Sequence, residues 1–290
     1  MVKSLKELIS FGILLVDKPQ GWTSFDVVNH IRKSLKLKKA GHLGTLDPNV
    51  TGVLPIVLEE ACKIQELFMH RDKTYVGKMK FHAEIEKDKI EEGIKKFIGR
   101  IKQLPPVKSR VKRVVREREI KIFEITGFDK DKREASFIAE VEAGTYIRKL
   151  VSDLGEFLGI NCQMTELRRI KAGLFSDKDK EFLKIEEFDK AIKELNEGKE
   201  EKLKDIVISA EKILKLIDSY EIKSEFVQKL KNGSPLFSEM LQNQEDKIEI
   251  LNSKEVFALT CNKKIIELAK TTNQFENKSI IAKPWKVLNY

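Results

Sequence analysis

An α+β fold built on a mixed or antiparallel sheet is what this 290-residue chain predicts, on three observations. Strand-like alternation and helix-like stripes both occur, but without the regular βαβ rhythm of a parallel sheet. Segments such as "KIEEGIKKFIG" are amphipathic helices while others such as "TYVGKMKFH" alternate as half-buried strands do, so both kinds of element are present. Beyond about residue 205 the pattern changes to short strand candidates separated by polar turns, which marks a small β-rich second unit.

The elements follow in chain order. "GILLVDKPQG" reads as a short apolar strand, Ile13–Val16, entering a Pro/Gly turn. "TSFDVVNHIRKSL" predicts a helix with Ser24 as N-cap and Phe25, Val28, Ile31 and Leu35 on its inner face. A loop follows, and "VLEEACKIQELF" resumes a helical pattern. "TYVGKMKFH" alternates, with Tyr75, Gly77, Met79 and Phe81 on one side, as a half-buried strand does. "KIEEGIKKFIG" is an amphipathic helix through Ile90, Ile94, Phe97 and Ile98 that Gly99 ends. Strand-like runs near 119–126 and 135–142 flank the charged turn "FDKDKRE", and a helix with Ile147, Leu150, Val151, Leu154 and Leu158 inward comes next. The Lys/Glu-rich stretch 176–204 reads as a solvated helical connector. "KIEIL", "VFALT", "KIIELA" and "SIIAKPWKVL" are the strand candidates of the second unit, residues 205–290, and the first ten residues can pack with it.

Composition narrows the function. Hydrophobic residues make up 41% of the chain, enough for a buried core. No apolar run approaches the roughly 20 residues of a membrane span. The N-terminus lacks a signal-peptide pattern, so the cytoplasm is the expected location, or the nucleolus in a eukaryote. Three widely spaced cysteines form no CxxC, which argues against a disulfide frame or a zinc site. The net charge of +9 is concentrated in "KSRVKRVVREREIK" (108–121), with seven Lys/Arg against two Glu. Lys108, Arg110, Lys112, Arg113 and Arg116, interleaved with Val, suit a strand or arm laid against a polyanion, and nucleic acid is the expected partner.

"AGHLGTLDPNVTGVLP" (40–55) holds three of the 15 glycines and two of the seven prolines. Gly41, Gly44 and Gly52 allow sharp bends and close approach of a ligand. Pro48 pushes Asp47 toward extended backbone, so its carboxylate projects from a stiffened loop. Asp47 could also do no more than close an Asx turn. Arg148, at the start of a helix, meets the unfavourable end of the dipole and suits a carboxylate partner, or it is simply exposed. Tyr75 and Tyr146 are core aromatics or stacking platforms for a base. His30, His70 and His82 have no metal-ligand spacing.

Five segments in order resemble the TruB/dyskerin family of RNA pseudouridine synthases. They are "LLVDKPQGWTS" (14–24), the 40–63 segment with its G-H-x-G-T-L-D-P pattern, "KTYVGKMKFH" (73–82), "VEAGTYIRKLVSDLGEFLG" (141–159) and "MTELRRIKAGLF" (164–175). The resemblance runs from Gly12 to Phe175. It implies a catalytic domain over 1–204 (core 11–175), with helices and loops around a central RNA-binding cleft, and a PUA-like domain over 205–290. It makes Asp47 the essential acid, Tyr75 the aromatic that stacks on the target uracil, and Arg148 the partner of Asp47. Leu167 becomes an apolar wall of the pocket, to which Tyr146 also belongs, Lys18 and Pro19 supports behind the loop, and His42 a residue that helps flip the nucleotide. The segment around "QLPPVKSRVKRVVRERE" is most similar to the archaeal and eukaryotic dyskerin branch. That branch implies an H/ACA guide-RNA complex with small protein partners.

The reaction so implied isomerises uridine to pseudouridine, on tRNA uridine in the T-loop or at guided positions in rRNA, with no cofactor or metal. A carboxylate suits either covalent attack or assisted formation of a glycal. The rival readings are a non-catalytic RNA-binding scaffold of the same fold and a glycosylase that releases uracil.

Overall fold

The computed structural model describes residues 3–105, 112–243, 245–252, 256–271 and 280–290. The chain opens with α1 (Leu5–Ser10), held by a reciprocal Ser4–Glu7 capping box, and enters β1 (Gly12–Lys18). Helix α2 (Ser24–Ser34) begins one residue earlier than expected. Thr23, not Ser24, is its N-cap, in a capping box with Asp26. Its inward stripe is therefore Ser24, Val27, Val28 and Ile31, and Phe25, one position off that stripe, is 69% exposed.

The expected loop is flanked by strands instead of helices. It starts in β2 (Ala40–His42) and ends in β3 (Thr51–Leu58). Val53, Leu54, Ile56, Val57 and Leu58 are all buried, the continuous apolar run of a strand covered on both faces. Only "EEACKIQELFM" is helical, a 3₁₀ segment (Glu59–Ile64) followed by α3 (Gln65–Met69).

Strand β4 (Lys73–Phe81) alternates as expected, with Tyr75, Met79 and Phe81 buried. Helix α4 (Lys87–Lys95) stops before Ile98, which is exposed, and Gly99, at φ +90°, opens β5 (Gly99–Gln103). β6 (Arg116–Asp129) and β7 (Glu134–Val141) flank the charged turn, and α5 (Ile147–Phe157) buries Ile147, Leu150, Val151 and Leu154. β8 (Cys162–Ala172), β9 (Phe175–Ser176), β10 (Phe182–Lys184), α6 (Ile185–Asn196), α7 (Glu201–Ile206) and β11 (Val207–Ser209) follow.

These strands form one mixed sheet in the order β10-β1-β3-β8-β4-β7-β6-β5, with β11 on β1, β2 on β3 and β9 on β8. The pairs β1–β10 and β3–β8 are parallel and the others antiparallel. The 176–204 stretch is more than a solvated link: β10 pairs with β1, and α6 buries Ile185, Phe188 and Ala191.

A second sheet, β12-β14-β15-β16-β13, comprises β12 (Ser219–Glu221), β13 (Leu236–Phe237), β14 (Val256–Cys261), β15 (Lys264–Lys270) and β16 (Ile280–Val287). It carries α8 (Val227–Lys231) and α9 (Asp246–Asn252). "KIEIL" lies in α9, not in a strand; Ile250 is buried while Ile248 and Leu251 are exposed, a helical distribution that so short an apolar run hides.

The alternation along β1 explains how the layers stack. Leu14 and Val16 join the core under α2, α5 and α6, whereas Ile13 and Leu15 join Ala258, Ile265, Leu268 and Leu288 from the C-terminal part. The N-terminal helix also reaches that part through a Glu7–Lys264 ion pair. Among the described residues no helix is long and apolar enough to cross a membrane.

Candidate active site

The loop between β2 and β3 is held from below by buried polar side chains. Lys18, fully buried at the end of β1, donates to the carbonyls of Pro19 (2.8 Å), Trp22 (2.6 Å) and Pro48 (3.0 Å). Burial pushes its ammonium down to about 8. The Pro48 carbonyl also accepts from the Gly21 N–H at 2.9 Å, so the turn before α2 and the catalytic-loop candidate share one hub. Ser24 faces Leu46: its hydroxyl donates to the Leu46 carbonyl at 3.1 Å, and the Leu46 N–H donates back to it at 2.8 Å.

Arg169, on β8 and almost fully buried, bridges both ends of the loop. Its Nη2 donates to the Gly44 carbonyl (3.0 Å) and its Nε to the Val53 carbonyl (2.8 Å). Two glycines make this possible. Gly44 sits at φ +123° with Arg169 and Lys73 close by, and Gly52, at φ +103°, lies so tight against the Arg169 backbone that a Cβ would overlap its carbonyl oxygen. Lys73 is buried too, and donates to the Met69 and Arg71 carbonyls, each at 2.5 Å.

On this support Asp47 projects outward, its own carbonyl accepting from the Val50 N–H at 3.0 Å. Its carboxylate pairs with the Arg148 guanidinium from the first turn of α5, 101 residues away in sequence. Both side chains remain open to solvent, at 53% for Asp47 and 58% for Arg148. A carboxylate that is fixed in direction yet accessible can act on a ligand, which a buried ion pair could not do.

Tyr75 and Leu167 sit on adjacent strands. Tyr75 pairs with Arg169 and Gly77 with Leu167 in the β4–β8 ladder, so Tyr75 and Leu167 are diagonal neighbours on one face of the sheet. Both are mostly buried, in the same apolar cluster. A cleft of about 560 Å³ opens beside the loop, lined by Asn49 and Thr51 together with Gly77, Leu167, Arg168 and Lys78. Arg168 is held there by a two-point ion pair to Asp17, both contacts at 2.9 Å.

His42, in β2, accepts from the Gly44 N–H at 3.4 Å, and burial with the nearby Arg169 charge lowers its pKa. Pro19 lends its carbonyl to Lys18. Tyr146 precedes α5 and borders a separate small cavity of about 60 Å³ with Arg116, Arg118 and Gln103. Lys112 and Arg113 are exposed and Arg116 partly so, in and before β6; Lys108 and Arg110 lie outside the described residues. Ser24, Arg169, Lys73 and Gln103 hold this site together, and none was singled out for that role by the sequence. The one hint was an Arg at position 169 between the apolar Leu167 and Ile170 of the "LRRIK" run.

The comparisons agree on one family. A model of the TruB family pseudouridylate synthase N-terminal domain matches residues 32–147, and one of the tRNA pseudouridylate synthase B C-terminal domain matches residues 148–215. The probable tRNA pseudouridine synthase B of Methanocaldococcus jannaschii is 40% identical over 235 residues, 81% of this chain and 69% of that protein. Its counterpart from Methanopyrus kandleri is 37% identical over 271 residues, 93% of this chain and 79% of that protein. Among solved structures, a Cbf5-Nop10-Gar1 complex superimposes with a TM-score of 0.84 at 32% identity, covering 98% of this chain and 87% of the matched one. An H/ACA ribonucleoprotein bound to a substrate RNA containing 2′-deoxyuridine gives 0.83 at 31% identity, covering 99% and 88%. The motifs, the mixed-sheet fold and these relatives together place the chain in the TruB family of pseudouridine synthases, isomerases that act on uridine in RNA.

Proposed function

We propose that Asp47 is the catalytic carboxylate, Arg148 the side chain that aims it, and the cleft between the loop and β4–β8 the pocket for a uridine flipped out of its stack. The observation that carries this reading is the accessible Asp47–Arg148 pair on a loop clamped by Lys18, Ser24 and Arg169. In the isomerisation the N1–C1′ bond breaks, uracil turns without leaving, C5 bonds to C1′ and the C5 proton departs. Atoms and electrons balance with no net redox change. Asp47 can take part as a nucleophile at the sugar or as a base there. Leu167, which lines the cleft, supplies an apolar wall and Tyr75, its diagonal neighbour, the aromatic one, while Tyr146 lies at the separate cavity beside Gln103 and His42 on β2 at the base of the loop. Lys112, Arg113 and Arg116 meet the RNA backbone through charge rather than sequence.

Asp47→Asn keeps the shape and removes the charge. Pseudouridine mapping should find no product while RNA binding survives, and retained turnover would refute the assignment. RNA mass separates isomerisation, which leaves it unchanged, from base loss, which lowers it.

Within this class we infer guide-dependent action alongside small protein partners. The likeness to H/ACA assemblies extends over nearly the whole chain, C-terminal sheet included, which supports it. Mapping tRNA and rRNA with the protein alone, and then with guide RNA and partner proteins, decides the point. Full activity on tRNA without a guide overturns the inference.

A further inference from the structure

Arg148 owes its position to the start of α5, and that start has an unusual anchor. Tyr146, the residue before the helix, gives no side-chain cap, and the first turn holds no acidic residue. Arg148 in that turn works against the helix dipole. What fixes the helix start comes instead from β5 and β6. The Glu142 N–H donates to the Glu119 carbonyl at 2.9 Å, and the Glu119 N–H returns a bond to the Glu142 carboxylate at 3.0 Å. Arg118 lies 3.6 Å from that carboxylate and covers Gly144, which sits at φ +85°.

Gln103 completes the anchor. It is the last residue of β5, 3% exposed, and in register with Arg116 at the foot of the basic strand. Its Oε1 accepts from the Tyr146 N–H at 2.8 Å, and its Nε2 donates to the Tyr146 carbonyl at 3.2 Å. One amide thus grips both main-chain polar groups of the residue two positions before Arg148. Only an uncharged side chain with a donor and an acceptor at that reach can do this. The arrangement repeats, from a strand, what Ser24 of helix α2 does to Leu46 next to Asp47.

We propose that Gln103 is a positioning residue for the isomerisation: through Tyr146 it fixes where α5 begins and hence how Arg148 meets Asp47. This rests on the reading of Asp47 and Arg148 as the working pair. Gln103 also ties the strand that carries Arg116 to the helix that carries Arg148, so RNA held on the basic strand is in register with the catalytic carboxylate.

The test uses the full chain, with partners if the activity needs them, and single-turnover rates on a substrate RNA. Gln103→Leu removes both bonds at similar volume. Its rate should fall about tenfold or more, since displacements of about 1 Å remote from the chemistry can cost a hundredfold. RNA affinity should stay within about twofold, because the basic side chains are untouched. Should the leucine variant not fold, Gln103→Glu, which keeps the length and the acceptor but loses the donor, takes its place with the same expected split between rate and affinity.

A purely structural role would slow every background equally. In an Arg148→Lys background the loss from the Gln103 change should shrink to about twofold or less, because a compact ammonium lacks the directional fork that needs aiming. A wild-type rate in both Gln103 variants, a loss carried by RNA affinity, or an equal loss in both backgrounds overturns the proposal. Wild-type turnover by Arg148→Ala overturns the parent reading instead.

Discussion

Replacing Glu267 by glutamine should change how stability depends on pH, and the size of the change follows from the site. Glu267 lies on β15, in register with Leu259 of β14 and Val287 of β16. It is fully buried, and among the described residues neither carboxyl oxygen has a hydrogen-bond partner. Burial raises its pKa from the ordinary 4.5 to about 8. Below pH 4.5 the folded and unfolded chains both hold this proton. Between 4.5 and 8 the unfolded chain gives it up while the folded one keeps it, so the unfolded state binds fewer protons and stability falls as pH rises. At pH 7 the span is 2.5 units, and at about 1.4 kcal/mol per unit the loss is about 3 kcal/mol. Glutamine has no such titration. Urea unfolding of both proteins from pH 4 to 8 should show the glutamine variant gaining about 3 kcal/mol on the wild type between pH 4 and 7. The difference cancels the titrations the two proteins share. A gap that stays constant within about 0.5 kcal/mol across the series would refute the buried, unpartnered state of this carboxyl.

Two further outcomes are expected from the site. Ser24→Ala strips the Leu46 N–H and carbonyl of their partner in a buried position, and should lower stability by about 2 kcal/mol in urea unfolding and slow turnover with RNA affinity unchanged. Alanine at Lys112, Arg113 and Arg116 together should weaken RNA binding across sequences and lower the salt slope of log K by about 2 to 3, at roughly 0.7–0.9 per lost phosphate contact, as read by titration at several salt concentrations.

How much of this was legible from the sequence varies with the kind of interaction. Strand β4 and helix α5 were read correctly because their buried apolar residues, Tyr75, Met79 and Phe81 in one and Ile147, Leu150, Val151 and Leu154 in the other, keep the period of the element. Phe25 was misplaced because the buried stripe runs through Ser24, Val27, Val28 and Ile31, and Phe25 lies about 100° round the helix from it. The strand over Thr51–Leu58 was read as loop, and its last two residues as the start of a helix, because burial on both faces erases the alternation. Asp47 and Arg148 each looked ambiguous alone; their meeting across 101 residues is a tertiary fact that only the family resemblance anticipated.

Lys73 and Arg169 were missed, and Lys18 was found only through the family resemblance, for one common cause. Lys18, Lys73 and Arg169 are buried cations, and among the described residues none of them is in an ion pair. Their partners are carbonyls: of Pro19, Trp22 and Pro48, of Met69 and Arg71, of Gly44 and Val53. A cation that answers to a carboxylate leaves a complementary acid in the sequence by which to find it. One that answers to main-chain oxygens leaves nothing, since every residue has one. The loop turns Leu43, Leu46 and Val50 inward but also presents main-chain carbonyls to the interior, so the scaffold beneath it must include donors. The same logic applies to Gln103 and Ser24, whose partners are again main-chain groups. The residues proposed to act carry recognisable chemistry, and those proposed to aim them are recognisable only once the backbone is in place.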